Sequence, residues 1–182
     1  MRAVGREMSE DGEDRGGGAP SAGREARSAL LADHAPVLGR VAMALVGDPA
    51  RVEQVLEQVA REAGAAVAPE GVAPLAWLLG LVRTASATQL SKLPLRTRPG
   101  VQDAAPTTER MGAGEAIAAR AALATLKPTE REAVILSLVG GLEAADVAAA
   151  CGVDVGTAKT RIARGVEQLL ESRAPGDDGG AR

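Results

Sequence analysis

Residues 141–165 read GLEAADVAAACGVDVGTAKTRIARG, and this stretch has few ways to fold. Leu142, Val147 and Cys151 fall on one side of a first helical segment, while Ala144, Ala148 and Ala149 are small enough to let a second helix come close. Gly152 breaks the pattern. Left-handed backbone is cheap only for glycine, so the corner belongs there. Asp154 follows as an N-cap whose carboxylate can accept from the free amides of the next turn. Beyond it, Val155, Ala158, Ile162, Val166 and Leu169 recur at spacings of three and four, which predicts one buried face of a second helix. Thr157, Lys159, Thr160, Arg161 and Arg164 lie largely off that face. The whole reads as a helix-turn-helix: a bracing helix, then one whose N-terminal half faces a major groove.

Charge agrees with that geometry. Residues 154–164 carry three bases, Lys159, Arg161 and Arg164, against the single acid Asp154, in a chain of net charge -3. A basic helix face can neutralise phosphates even on an acidic protein.

The composition favours helices throughout. Of 182 residues 46% are hydrophobic, yet Trp77 is the only aromatic, and β-branched residues are sparse beside alanine and leucine. The lone cysteine, Cys151, excludes an intramolecular disulfide and fits a reducing compartment; it reads as a small buried apolar residue. No uninterrupted apolar run reaches membrane-spanning length, and the N-terminus lacks the apolar stretch of a signal peptide, so a cytoplasmic location is expected. His34 has no nucleophile or metal partner nearby, and no phosphate-cradling loop is present. The chain is therefore expected to be no enzyme and to hold no cofactor or metal.

Along the chain, residues 1–25 and 174–182 have little to bury and read as disordered tails. Order is expected from residue 26. Leu38, Val41, Ala42 and Leu45 follow helical spacing up to Gly47, with Pro36 implying a kink or a late start. Asp48-Pro49 reads as an N-cap followed by proline at the first helical position. Val52, Val55, Leu56 and Val59 then form an apolar stripe, with Glu53, Gln54, Glu57, Gln58 and Arg61 opposite. A third helix starts at Pro74 with Leu75, Leu78, Leu79 and Val82 on its stripe. Trp77 reads as its anchor in the bundle, and Arg83, Lys92, Arg96 and Arg98 as candidate phosphate holders. Residues 92–112, broken by Pro94, Pro99, Gly100 and Pro106, read as a linker. A helix resumes by Gly114 with Ile117, Leu123 and Leu126 inward, and Thr129 and Glu132 form a capping box before Val134, Ile135 and Leu138. The expected fold is all-α: two small helical bundles, residues 26–91 and 113–173, joined by a flexible linker, the second containing the helix-turn-helix.

The second bundle resembles the DNA-binding C-terminal region of bacterial RNA polymerase sigma factors of the extracytoplasmic-function group. Asp146-Val147-Ala148 stands at that group's E-I-A, residues 156–162 (GTAKTRI) at G-T-V-K-S-R-L, and Arg164-Gly165 at the closing R-A. Residues 122–136 follow A-L-x-x-L-P-x-x-x-R-E-x-x-x-L with one inserted residue, Lys127. The first bundle is similar, more loosely, to the polymerase-binding domain of the same group. Glu53-Gln54-Val55-Leu56-Glu57-Gln58 takes the place of an A-E-D-L-V-Q-E run that docks on the polymerase's largest subunit, with reduced acidity, and residues 77–83 match W-L-L-x-I-A-R. The N-x-x-x-D-x-x-R set that should follow, which handles the upstream hexamer and its melting, is replaced by Thr84, Thr88 and Ser91.

The resemblance implies a sigma factor. Core polymerase is held through Glu53, Gln54, Glu57 and Gln58, promoter DNA is read by Thr157, Lys159, Thr160, Arg161 and Arg164, and an anti-sigma factor is an implied partner. Two other readings stand beside it. One is a sigma-derived DNA-binding regulator that no longer opens promoters; the other is a helical adaptor that sequesters another protein.

Overall fold

A computed structural model of the chain describes residues 19–92 and 113–173. Among these residues there are helices and turns and no strand. The order is α1 (Ala19–Val46), α2 (Pro49–Ala65), α3 (Pro74–Ser91), α4 (Ala113–Thr125), α5 (Pro128–Val134) running into a π-helical turn (Ile135–Val139), α6 (Ala144–Cys151) and α7 (Val155–Arg173). The N-terminal residues 1–18, most of the expected linker (93–112) and the C-terminal residues 174–182 lie outside the described residues.

α1 begins earlier than the burial pattern suggests. Residues 19–25, expected in a tail, are helical. Once a helix is nucleated each further residue adds a hydrogen bond without needing a buried side chain, and the burial criterion is blind to that extension. Pro36 is accommodated inside α1. The Ala32 carbonyl, which loses its amide partner there, belongs to an exposed residue, as does Pro36, so water can reach it. Glu25–Val46 is, contrary to the expectation from its sequence, long and apolar enough to span a membrane by length and composition alone. Here the stretch supplies a core helix, with Leu38, Val41, Ala42 and Val46 at most 2% exposed.

α2 starts as its sequence dictates. Gly47 closes α1 at φ 73, and the Asp48 carboxylate accepts from the Ala50 amide at 3.1 Å and from Arg51 Nε at 2.9 Å, with Pro49 in the first turn. Its stripe buries Val55, Val59 and Ala63, with Val52 and Leu56 packed at the margin. α3 contributes Leu78, Leu79, Val82 and Ala85, all fully buried, and the half-buried Trp77 packs on the same core. Each of these three helices packs on the other two.

In the second helix set, α5 starts one residue before the expected capping box. Lys127 is the N-cap, without a side-chain hydrogen bond, and Pro128 is the first helical residue. Thr129 is thus already inside the helix, and Glu132 turns to another partner. Proline decides this: its ring presets the helical φ at the first position, where the missing amide is harmless. The apolar set also differs. Val134, Ile135 and Leu136 are buried, while Leu138 is 65% exposed. The Gly140 amide reaches the Ile135 carbonyl at 3.0 Å, five residues back, and this wider turn rotates Leu138 off the inner face. Leu138 instead edges an apolar cleft of about 600 Å³ between α4, the π-turn and α7. Leu126 is buried as expected; the Ile117 side chain lies outside the described residues.

The two helix sets pack against each other through α3 and α6, and one hydrophobic core runs from Leu38 to Ala158. The approach is close because the seam is lined with glycine and alanine. A Cβ on Gly80 would lie 3.2 Å from the Ala150 carbonyl oxygen, and one on Gly140 would lie 2.9 Å from Leu79 Cδ1 and collide with the Leu136 carbonyl. Arg83 crosses the seam: Nε donates to the Ala150 carbonyl at 3.2 Å and Nη1 to Glu132 at 3.4 Å. Gly140→Ala therefore overpacks the seam and should lower stability by about 1–3 kcal/mol, read as a lower urea midpoint with an unchanged slope. An unmoved midpoint would show that the Leu136 carbonyl and Leu79 both give way at little cost.

Candidate nucleic-acid interface

The corner is built from backbone up. Gly152 adopts φ 66, ψ 39, the left-handed conformation its lack of a side chain permits. Two hydrogen bonds close α6 around it: the Val153 amide donates to the Ala148 carbonyl at 3.0 Å and the Gly152 amide to Ala149 at 3.3 Å, satisfying carbonyls a helix end would otherwise leave bare. Two residues later Asp154 opens α7. Its Oδ1 accepts from the Thr157 amide at 2.8 Å, its Oδ2 from the Thr157 hydroxyl, and its carbonyl from the Ala158 amide at 3.0 Å. The hydroxyl of Thr157, and then its amide, hold the Asp154 carboxyl below the usual carboxylate range. Gly156 leaves room for this cap, since a Cβ there would come 3.1 Å from Asp154 Oδ1.

What α7 buries determines what it presents. Ala158 is fully buried and Gly165 is buried against α5, where a Cβ would sit 2.5 Å from Val134 Cγ2. Ile162, Val166 and Leu169 are half-buried beside that line. Lys159, Thr160 and Arg164 consequently lie exposed, and Thr157 and Arg161 are half-buried at the edge. Among the described residues no ion pair joins Lys159, Arg161 or Arg164 to an acid. Both hydroxyls of the set are already donating, Thr157 to Asp154 and Thr160 to the Gly156 carbonyl at 2.9 Å, which leaves them lone pairs with which to accept. Val155, expected on the buried face, is 42% exposed. It is the first residue of α7 and precedes the turn at which that helix meets α5 and α6.

The other expected site residues stand on α2. Glu53, Gln54 and Glu57 are exposed on one face, while Gln58 is half-buried and donates to Glu62 Oε1 at 2.8 Å. On α3, Thr84, Thr88 and Ser91 turn their hydroxyls onto the carbonyls of Gly80, Thr84 and Thr88 in the same helix. Arg83, expected to hold phosphate, is engaged across the seam instead, and Lys92 Nζ donates to Gln89 Oε1 at 3.3 Å. Arg96 and Arg98 lie outside the described residues. The pairing of Arg83 with Glu132 had no local signature, because its partners are 49 and 67 positions away. Cys151 is half-buried; burial raises its thiol pKa, opposed by the nearby charges of Arg83 and Arg161. Among the described residues no three His, Cys, Asp or Glu side chains gather where they could hold a metal.

Comparison with known proteins places this arrangement. The family described as Sigma-70, region 4, matches residues 116–169, the span of α4 to α7. The sigma factor RpoE of Bartonella quintana, solved in complex with the anti-sigma factor NepR, superposes with a TM-score of 0.66 at 27% identity, over 81% of this chain and 96% of that one. Over α4 to α7 the chain thus carries a sigma-70 region 4 domain, and over most of its length it is similar to a sigma factor. Two curated relatives, the ECF RNA polymerase sigma factor SigC of Mycobacterium tuberculosis and the probable RNA polymerase sigma-C factor of Mycobacterium bovis, are each 44% identical to it over 55 residues. That match covers 30% of this chain and 30% of the length of each relative. CnrH, solved with the cytosolic domain of CnrY, shares the fold with a TM-score of 0.62 at 21% identity, over 85% of this chain and 94% of that one.

In this chain the cap should reveal itself through pH. A carboxyl whose folded pKa is depressed contributes stability that is present in full above its ordinary value, 3.8, and is lost as pH falls through the lower folded value. Asp154→Ala should therefore melt at a lower temperature than wild type at neutral pH, and the two curves should converge in acid below that range. Parallel curves at every pH would show that the cap carries no such linkage.

Proposed function

We propose that this sigma factor binds core RNA polymerase through the exposed face of α2 and directs promoter-specific initiation through α7. In this reading residues 26–91 are the polymerase-binding domain, with Glu53, Gln54, Glu57 and Gln58 at the contact. Residues 113–173 are the DNA-binding domain, with Thr157, Lys159, Thr160, Arg161 and Arg164 at promoter DNA. The observation that carries the proposal is the set of three cations, without an ion pair among the described residues, beside the buried line of a helix whose start is held by the Asp154 cap. Such a helix can lie in a major groove with its bases on the flanking phosphates. RpoE was solved with an anti-sigma factor, and by that likeness we assign this chain an anti-sigma partner as well.

A second reading, a sigma-derived regulator that binds DNA without opening it, draws on α3. Capturing unstacked bases takes aromatic or cationic platforms and free polar groups, each stacked base contributing about 1–3 kcal/mol. The α3 hydroxyls are satisfied within their own helix, Arg83 is engaged elsewhere, and Trp77 is half-buried in the core contact.

Run-off transcription with core polymerase distinguishes the two: specific transcripts remove the regulator, and polymerase binding and promoter binding without transcripts remove the initiator. For the DNA contact itself, affinity for the bound duplex should fall steeply with salt. Lys159→Ala should shallow the log–log slope by about 1. Arg161→Ala should weaken binding by about 1–3 kcal/mol on the preferred site alone if it reads a base edge, and equally on all sequences if it touches phosphate. Wild-type affinity in the Arg161 variant would remove that residue from the interface.

A further inference from the structure

We infer that Val155 is a sequence-determining residue of this interface and reads the C5 methyl group of a thymine. The inference rests on the DNA-binding reading of α7 and adds to it the chemistry of one base contact. Val155 is the first residue of the helix and stands 42% exposed although it is β-branched and wholly apolar. Nothing in the packing of α5, α6 and α7 requires a valine at so open a position.

The polar neighbours of Val155 are committed. Asp154 accepts from both the amide and the hydroxyl of Thr157, which turns its carboxylate back onto the first turn of the helix. The Thr157 hydroxyl donates to Asp154, the Thr160 hydroxyl donates to the Gly156 carbonyl, and Gly156 has no side chain. Beside hydroxyl oxygens that can still accept, the start of α7 therefore offers a groove one wholly carbon side chain, the isopropyl group of Val155. Helical side chains lean toward the N-terminus, which carries Val155 ahead of the helix and into the depth at which recognition helices meet base edges. In the major groove the one apolar feature of any base pair is the thymine methyl. Lys159, four residues on and exposed on the same flank, supplies the charge that draws this edge of the helix onto the duplex.

The test uses the full chain and a duplex selected by it from a random pool. Each thymine of the selected site is replaced in turn by deoxyuridine, which lacks only the methyl, and affinities are measured at two salt concentrations. One position should lose about fourfold in affinity, the worth of one buried methyl-sized group. Val155→Ala should lose a similar factor on the thymine duplex and be indifferent to deoxyuridine at that position. Alanine favours the helix, and unchanged far-ultraviolet dichroism checks that the fold is kept. If no thymine position responds, or if Val155→Ala discriminates as wild type does, the inference is overturned while salt-dependent DNA binding stands. If the chain binds no duplex at either salt concentration, the DNA-binding reading falls and this inference with it.

Discussion

Three residues, Gly152 to Asp154, set the direction of α7 relative to α6. The left-handed glycine costs little where any residue with a Cβ would be strained by about 1–2 kcal/mol, and it lets the chain reverse while the α6 carbonyls keep their partners. The aspartate then starts the next helix at a defined position by accepting from both the amide and the hydroxyl of Thr157. With both ends of the turn hydrogen-bonded, the angle between the helices has little freedom. Gly165 pressing on Val134 holds the middle of α7 against α5, so the solvent-facing side is determined by what lies beneath.

The seam between the two helix sets obeys a different balance. Arg83 and Glu132 are each 28% exposed, and an ion pair so accessible contributes about 0–1 kcal/mol. The hydrogen bond from Arg83 to Ala150 matters more for direction, because it satisfies a carbonyl at the C-terminal end of α6. Leu79 and Gly80 pack closely on Gly140 and Ala150, where absent side chains allow backbone to approach backbone. Leu78, Leu79, Leu136, Leu142 and Val147 fill the one buried core that the two helix sets share, so close approach and apolar burial act together at this contact. Lys159 and Arg164, on α7, remain exposed.

Much of this was legible in local chemistry. Gly47, Asp48-Pro49, Pro74, Gly152 and Asp154 each act at the position where their backbone preferences place them, since a cap or a left-handed turn is decided within four residues. The stripes of α2 and α3 read true for the same reason, helical periodicity being a property of neighbours in sequence. The misreadings also have local causes. Thr129 lost its capping role because Pro128, one residue earlier, is a stronger start signal. Leu138 left the core because a π-turn, which leaves no mark in an apolar pattern, shifted the helical phase. Val155 continued a periodic row beyond the point where there is anything to pack against.

The amino-acid sequence by itself determined the helices, the corner, the cap and the basic character of α7, because each arises from backbone conformation or charge within a turn or two. Only the tertiary structure decided that Arg83 bridges the two helix sets, that α3 lies on α6, and which side chains of α7 remain open to a partner. Those outcomes depend on contacts between residues tens of positions apart, and exposure is a property of the neighbours that arrive, which no single stretch of chain contains.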